Sequence, residues 1–145
     1  SVGVRWLAVQ AGFPYVPGAF WVAEYRNPAT TAPVSLATAG NVTYTPAQIL
    51  AGLIVRDCAG LSRADVLPTA ALLVAAMTNP QVGQVIETKI VNGSDAAEVL
   101  TIGAGTGGDF DTNQVAASRV LNQNVSKILK IRITDVATPA YVAYL

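Results

Sequence analysis

The segment KILKIRITDV, residues 127–136, alternates regularly between two sets of side chains. One set is Ile128, Lys130, Arg132 and Thr134, and the other is Leu129, Ile131, Ile133 and Asp135. Successive side chains of a β-strand point to opposite faces of its sheet, so this period of two predicts a strand. One of its faces is apolar at the centre, and the other carries the basic residues. The segment therefore indicates a β-sheet protein.

Strand patterns recur on both sides of this segment. Residues 85–91 alternate approximately and run into Asn92-Gly93, a dipeptide that favours tight turns between strands. Further short strands are predicted at 53–56, 99–102 and 140–145, and in the N-terminal part at 2–9 and 20–25. Short strands punctuated by glycine and asparagine are typical of a β-sandwich. We therefore predict a mostly β fold, although the pattern leaves the strand topology open.

Two short helices are expected between the strands. Thr45-Pro46 resembles a helix N-cap followed by proline at the first helical position, which predicts a helical turn over 46–51. The run of alanine and leucine at 70–77 favours a second helix. We expect that helix to end before Asn79-Pro80, because the residue before a proline avoids helical geometry.

The length and composition predict one domain that meets a partner. At 145 residues the chain has the usual size of a single compact domain, expected here over residues 41–145. Residues 1–40 are expected to form an N-terminal arm or a pair of edge strands. Hydrophobic residues make up 52% of the chain and charged residues 12%, whereas charged residues reach about 25% in typical soluble domains. A symmetric homo-oligomer would bury such an apolar surplus.

Charge and hydropathy argue against two other kinds of partner. Nine basic and nine acidic residues give a net charge of zero, and no basic run is present, so no nucleic-acid partner is expected. The longest apolar run, residues 67–77, contains Pro68 and is much shorter than the roughly 18 residues that a membrane span needs. Neither a membrane span nor a secretory signal is therefore expected.

The sequence lacks the side chains that most enzymes use for acid-base or nucleophilic chemistry. It contains no histidine, and Cys58 is its single cysteine. Without a histidine to activate the thiol, we predict that Cys58 is a buried apolar residue. The chain is accordingly predicted not to be an enzyme and to need no cofactor. A pair of carboxylates can cleave glycans, so a carboxylate-based glycan-degrading enzyme remains an alternative. The acids beside predicted turns or strand ends are Asp57, Asp65, Asp95, Glu98 and Asp135.

Two motifs near residue 105 resemble ligand-binding loops. Gly103-Ala-Gly-Thr-Gly-Gly108 satisfies the G-x-G-x-x-G spacing of dinucleotide-binding turns. The acids that follow would repel phosphates and too little chain remains for a Rossmann domain, so we predict a turn between antiparallel strands. Asp109, Asp111 and Asn113 have the spacing that opens a calcium loop, but glycine and glutamate are missing from the later positions. An irregular calcium site there is the alternative to a solvated loop.

Aromatic residues and glycosylation sequons offer two further hypotheses. The N-terminal forty residues contain an aromatic cluster that either stacks on sugars or packs against the body or a neighbouring subunit. Its members are Trp6, Phe13, Tyr15, Phe20, Trp21 and Tyr25, of which Trp6, Tyr15, Trp21 and Tyr25 are the candidate carbohydrate-binding residues. Asn-x-Ser/Thr sequons occur at Asn41, Asn92 and Asn124 and predict exposed glycan acceptors. Asn92 is also explained by the turn that Asn-Gly favours.

The residues from Val42 onwards resemble a module of surface proteins from large double-stranded DNA viruses, including those that infect algae. The resemblance rests on 43–50, 52–57 and 65–70, and on Val82-Gly83, 92–98, 103–107, 124–127 and 131–136. It covers about two-thirds of the chain and leaves the first forty residues outside. It implies an antiparallel jelly-roll β-sandwich in capsid-associated glycoproteins or fibres, often trimeric, and it implies no catalytic residues.

Three functions follow from these observations. The leading hypothesis is a structural or attachment domain on the virion surface that assembles as a homo-oligomer, with a trimer favoured, and contacts other virion proteins. The first alternative is a carbohydrate-binding module that recognises host-cell glycans through the N-terminal aromatics, with or without calcium at Asp109 and Asp111. The second alternative is the glycan-degrading enzyme.

Overall fold

The computed structural model describes residues 32–145. The predicted strands at 2–9 and 20–25 and all the candidate carbohydrate-binding residues lie outside this range. The strands are β1 (Val34–Leu36), β2 (Leu53–Arg56), β3 (Arg63–Val66), β4 (Val85–Asn92), β5 (Leu100–Gly103), β6 (Gly108–Phe110), β7 (Val120–Leu121), β8 (Ser126–Asp135) and β9 (Ala140–Tyr144). The helices are α1 (Pro46–Leu50), α2 (Ala70–Ala76) and a 3-10 turn at Ala116–Arg119.

The strand β8 lies in the middle of a six-stranded sheet with the order β1-β2-β4-β8-β9-β6. It pairs antiparallel with β4 on one side and with β9 on the other. Leu129, Ile131 and Ile133 are fully buried, while Ile128 and the basic residues that alternate with them are exposed. The structure therefore confirms that residues 127–136 include a long strand, and that its apolar face is buried while its basic face is exposed.

The strands do not all run antiparallel, which corrects that part of the predicted fold. In the large sheet β1 pairs parallel with β2, β2 with β4, and β6 with β9. A second sheet, with the order β3-β5-β7, contains a further parallel pair, β3 with β5. Parallel neighbours need a crossover of about a dozen residues or more, and the segments that contain α1 and α2 provide two of these. The mostly β prediction is confirmed, but a jelly-roll topology is not.

Both predicted helices are present, and each begins at a threonine. The Thr45 hydroxyl accepts from the Gln48 backbone N–H and the Gln48 side chain accepts from the Thr45 backbone N–H, which is a complete capping box ahead of Pro46. Thr69 caps α2 in the same way by accepting from the Leu72 N–H. As predicted, α2 ends before Asn79-Pro80. None of the helices in residues 32–145 is long and apolar enough to cross a membrane.

One hydrophobic core joins the two sheets and the two helices. Its members include Ile54 and Ile90 from the large sheet, Leu100 and Ile102 from the small sheet, and Ile49 from α1. Cys58 is fully buried, as predicted. The compact unit begins at residue 32, because β1 belongs to the large sheet. β1 thus lies within the segment 1–40, for which an arm or edge strands were predicted, and it is an edge strand of the large sheet.

The glycine-rich segment 103–108 connects β5 of the small sheet to β6 of the large sheet. It is therefore not the turn between antiparallel neighbours that the sequence predicted. A Cβ atom on Gly105 would overlap the carbonyl oxygens of Leu67 and Pro68. The Gly105 N–H donates to the Tyr141 hydroxyl at 3.0 Å, and that hydroxyl donates to the Pro68 carbonyl at 3.0 Å. The glycine thus serves close packing between segments and not phosphate binding.

We expect Gly105→Ala to lower the free energy of unfolding by about 2–3 kcal/mol, because backbone must move to make room for the methyl group. Urea denaturation measures this change. The matched control is Gly40→Ala, where a Cβ meets nothing within 4 Å and the loss should stay below about 0.5 kcal/mol. Equal losses at the two positions would show that Gly105 is not needed for packing.

Candidate functional site

A buried ion pair connects the two sheets. Arg56 at the end of β2 and Asp65 in β3 are both fully buried, and the Arg56 Nε lies 2.6 Å from Asp65 Oδ2. The Arg56 Nη2 also donates to Asp65 Oδ1, at 3.3 Å, so the contact is bidentate. The remaining guanidinium N–H groups donate to backbone carbonyls, among them Thr38 at 3.1 Å and Gly40 at 2.6 Å.

The Asp65 carboxylate is equally well satisfied. It accepts from the Val42 backbone N–H at 2.8 Å and from the Tyr44 hydroxyl at 3.0 Å, in addition to Arg56. Burial raises the pKa of Tyr44 well above its usual range, and the negative charge of Asp65 raises it further. Because solvent does not reach this cluster and each of its charged groups is bound, the pair is placed to hold the two sheets together. Asp65, which the sequence placed beside a turn or a strand end, lies within the strand β3.

The large sheet presents one face away from the core. We call this the outer face, and it consists of the residues of its strands that alternate with the buried ones. Its central members are Leu53, Val55, Val85, Glu87, Lys89, Val91, Ile128, Lys130, Arg132, Val142 and Tyr144. Ile128 is 52% exposed and Val85 is 48% exposed, which is high for large apolar side chains.

Charged side chains surround these apolar groups. Lys89, Lys130 and Arg132 are exposed beside a single acid, Glu87. Lys130 and Glu87 are cross-strand partners in register, and their Nζ and Oε2 atoms lie 3.1 Å apart. The outer face therefore mixes exposed apolar groups with three cations and one acid. Arginine is enriched in protein interfaces, whereas lysine and glutamate are depleted there.

The residues proposed for calcium lie in β6 and directly after it. Asp109 is exposed in that strand, and Asp111 and Asn113 follow it. Asp111 Oδ2 accepts from the Asn113 backbone N–H at 3.1 Å, so one of its oxygens already serves the turn. A calcium site at Asp109, Asp111 and Asn113 stays a prediction.

The three sequons lie in different environments. Asn41 and Asn124 are exposed, and they stay predicted acceptors. Asn92 is fully buried, and its Nδ2 donates to the carbonyls of Glu98 at 2.8 Å and Leu121 at 2.9 Å. A glycan on Asn92 would replace one of the two Nδ2 hydrogens and so break one of these hydrogen bonds, and the side chain is buried, so the prediction that Asn92 is exposed is wrong.

Three further carboxylates lie close together at the end of the large sheet where the strands β2 and β4 terminate. Asp57 follows β2, while Asp95 and Glu98 lie in the loop between β4 and β5, and one oxygen from each lies within 4.8 Å of the others. The sequence showed each acid beside a strand end but did not group them. The signal that groups them is the parallel pairing of β2 with β4, because parallel strands end at the same edge.

We expect Arg56→Met to lower the free energy of unfolding by about 3–5 kcal/mol, because the Asp65 carboxylate is left buried without its cation. Adding Asp65→Asn removes the charge but keeps an oxygen for Val42 and Tyr44. The double variant should therefore be more stable than Arg56→Met alone, by about 1–2 kcal/mol. Urea denaturation of the three proteins measures both differences.

The exposed ion pair between Lys130 and Glu87 on the outer face supplies the control for these variants. Lys130→Met removes a cation whose side chain is 53% exposed, and the loss should stay below about 1 kcal/mol. A double variant that is less stable than Arg56→Met alone would contradict a charge-based role for the pair.

The described residues thus contain a closed ion pair, an exposed mixed face and a group of three carboxylates. Only the last two are open to a ligand or a partner. No protein-family model, curated protein or solved structure matches the chain, so its function has to be inferred from these features.

Proposed function

We propose that the chain is a structural or attachment domain of a virion surface protein, capsid-associated or fibre, and that it assembles as a homo-oligomer. The outer face of the large sheet carries the assembly part of this proposal. Placement on a virion rests on the resemblance of the sequence from Val42 onwards to surface modules of large DNA viruses. The two-sheet core is compatible with a β-sandwich module, whereas the parallel pairs depart from the jelly roll that the resemblance implies.

The apolar surplus of the composition supports assembly. Hydrophobic residues are 52% of the chain, and several large ones stay exposed after the core is complete. Val85 and Ile128 are the two on the outer face, where neighbouring strands hold them in fixed register with Arg132 and Lys89. The paired Glu87 and Lys130 lie between Val85 and Ile128 in this register, so a contact over the outer face would cover the apolar groups and this ion pair together.

The sign of the charges favours a ring over a twofold dimer. Lys89, Lys130 and Arg132 outnumber Glu87 on the outer face. A twofold contact between two outer faces brings the cations of one copy towards those of the other, which costs energy. A head-to-tail contact sets this face against a different surface of the next copy and avoids the repulsion. Three copies related in this way form the trimer that we favour.

We also propose that the domain is not an enzyme. The sequence has no histidine, and its buried cysteine lies away from solvent. Among the described carboxylates, Asp65 is bound by Arg56 and closed to solvent. Host-glycan recognition by Trp6, Tyr15, Trp21 and Tyr25 stays the alternative, and these residues lie outside the described range.

We expect the full chain to sediment as a species of three times its 15.0 kDa mass at micromolar concentration. Ile128→Asp should shift it to the monomer, because a buried carboxylate at the centre of the interface costs several kcal/mol. Light scattering after size exclusion measures the mass, and circular dichroism checks that the variant is folded. The control is Val115→Asp, at a position that is 69% exposed and not part of the outer face. A monomeric native chain, or dissociation by Val115→Asp alone, would refute the assembly proposal.

We expect antibodies raised against the folded chain to label intact virions of the virus that encodes it. Gold labelling in electron microscopy measures this. An antibody against an internal virion protein is the control, and it should label only disrupted particles. Label confined to disrupted particles for both antibodies would overturn the surface assignment.

A further inference from the structure

We propose that Asp57, Asp95 and Glu98 bind one calcium ion at the edge where β2 and β4 end. One carboxylate oxygen of each residue lies within 4.8 Å of the other two. Two oxygens that share a calcium ion at about 2.4 Å each can lie up to about 4.8 Å apart. Three oxygens at that limit lie about 2.8 Å from a common centre, a few tenths of an ångström beyond a calcium–oxygen contact, so small side-chain rotations bring all three onto one ion.

The backbone brings these acids together through the pairing of β2 with β4. Arg56 and Asn92, the last residues of the two strands, are partners in the parallel register. Beyond them the Gly93 N–H donates to the Arg56 carbonyl at 2.9 Å, and the Cys58 N–H donates to Ser94 Oγ at 2.9 Å. These two bonds hold the segment around Asp57 against the loop that carries the other two acids.

The buried side chain of Asn92 fixes the shape of that loop. Its Oδ1 accepts from Ser94 Oγ at 2.7 Å, and its Nδ2 donates to the Glu98 carbonyl at 2.8 Å. The loop is therefore built by protein hydrogen bonds alone, so the carboxylates are presented in a frame that an ion does not have to create. A preformed frame lowers the entropy cost of binding.

The environment of the Glu98 carboxylate is a second observation that points to a cation at this place. Glu98 is only 6% exposed, and its Oε1 atom is buried without a hydrogen-bond partner in the described residues. The ion pairs found in residues 32–145 are Arg56 with Asp65 and Lys130 with Glu87, so none of the three acids takes part in one. A buried carboxylate without a partner is costly, and a bound cation removes that cost.

The donor set selects calcium among the common divalent ions. All three ligands are carboxylate oxygens, which hard cations prefer, whereas zinc sites in proteins are built mainly from histidine and cysteine. Magnesium demands near-ideal octahedral geometry at about 2.1 Å, which is a tighter arrangement than an exposed Asp95 and a half-buried Asp57 provide. Calcium accepts irregular geometry and completes its shell with water and backbone oxygens.

Calcium at this position would tie the large sheet to the small one. Asp57 directly follows β2 of the large sheet, and Glu98 lies two residues before β5 of the small sheet. The neighbouring residue Arg56 makes the buried ion pair to β3. The ion would therefore add a second link between the sheets beside the first, and it should stabilise the folded chain.

The test is thermal unfolding of the full chain after removal of metal by a chelator. We expect about 5 mM calcium chloride to raise the Tm by about 3 °C, and magnesium chloride or sodium chloride of equal ionic strength to raise it by less than 1 °C, roughly. Isothermal titration calorimetry of the same protein with calcium should give one ion per chain.

Glu98→Gln keeps the size of the side chain and removes its charge, so the calcium-dependent rise in Tm should disappear. Asp95→Asn should also abolish it, and because Asp95 is exposed this variant tests the site even if Glu98→Gln fails to fold. The control is the double variant Asp109→Asn with Asp111→Asn, which should respond to calcium like the native chain.

Three results would overturn the proposal. The first is a native chain whose Tm does not respond to calcium, and the second is an Asp95→Asn variant that responds fully. The third is loss of the response in the Asp109 and Asp111 double variant, which would move the ion to the loop after β6. An equal response to magnesium would overturn the choice of calcium.

Discussion

The ion pair between Arg56 and Asp65 sets how the two sheets meet. Both side chains are fully buried, so each is costly without the other. The bidentate contact between Arg56 and Asp65 offsets the cost of burying the two charges. The two sheets must therefore meet in an arrangement in which β2 and β3 keep that contact. The N–H groups of Arg56 that remain bind the carbonyls of Thr38 and Gly40, and the other side of Asp65 binds Val42 and Tyr44. The hydrogen bonds of this one ion pair thus hold the segment 38–44 in place where the two sheets meet.

Local patterns in the sequence predicted both helices and the strands β2, β4, β5, β8 and β9. They did not predict β3, β6 and β7, or the pairing between distant strands. The alternation in β8 and the threonine caps of both helices depend on neighbouring residues, so they can be recognised without the fold. The parallel pairing of β2 with β4 depends on how residues 57–84 cross over, and no local pattern records that path. β1 escaped for a simpler reason, since a strand of three residues is too short to show a period.

The polar groups show the same division. Asn92-Gly93 was predicted to form a tight turn between strands; β4 does end at Asn92, but residues 93–99 form a loop that leads into the other sheet. The burial of Asn92 depends on Leu121 and Glu98, which are distant in the sequence or lie across the loop. Asp57, Asp95 and Glu98 were each visible beside strand ends, and only the parallel register makes them neighbours. Asp65 was likewise visible beside a strand end, but its partner, Arg56, lies in a strand of the other sheet. In each case the sequence identified the polar side chain but could not identify the residue that it contacts.

The edges of the large sheet explain why its outer face is the better surface for assembly. β1 and β6, the two edge strands, have three residues each, so they offer few free backbone groups to an added strand. The outer face is wider, and the buried ion pair and the core behind it keep its strands in place. Lysine and arginine lie among Val85 and Ile128 on this face, so its exposed apolar groups have charged neighbours. A rigid face would lose little conformational entropy in the assembly that we propose, which favours this face over a mobile surface.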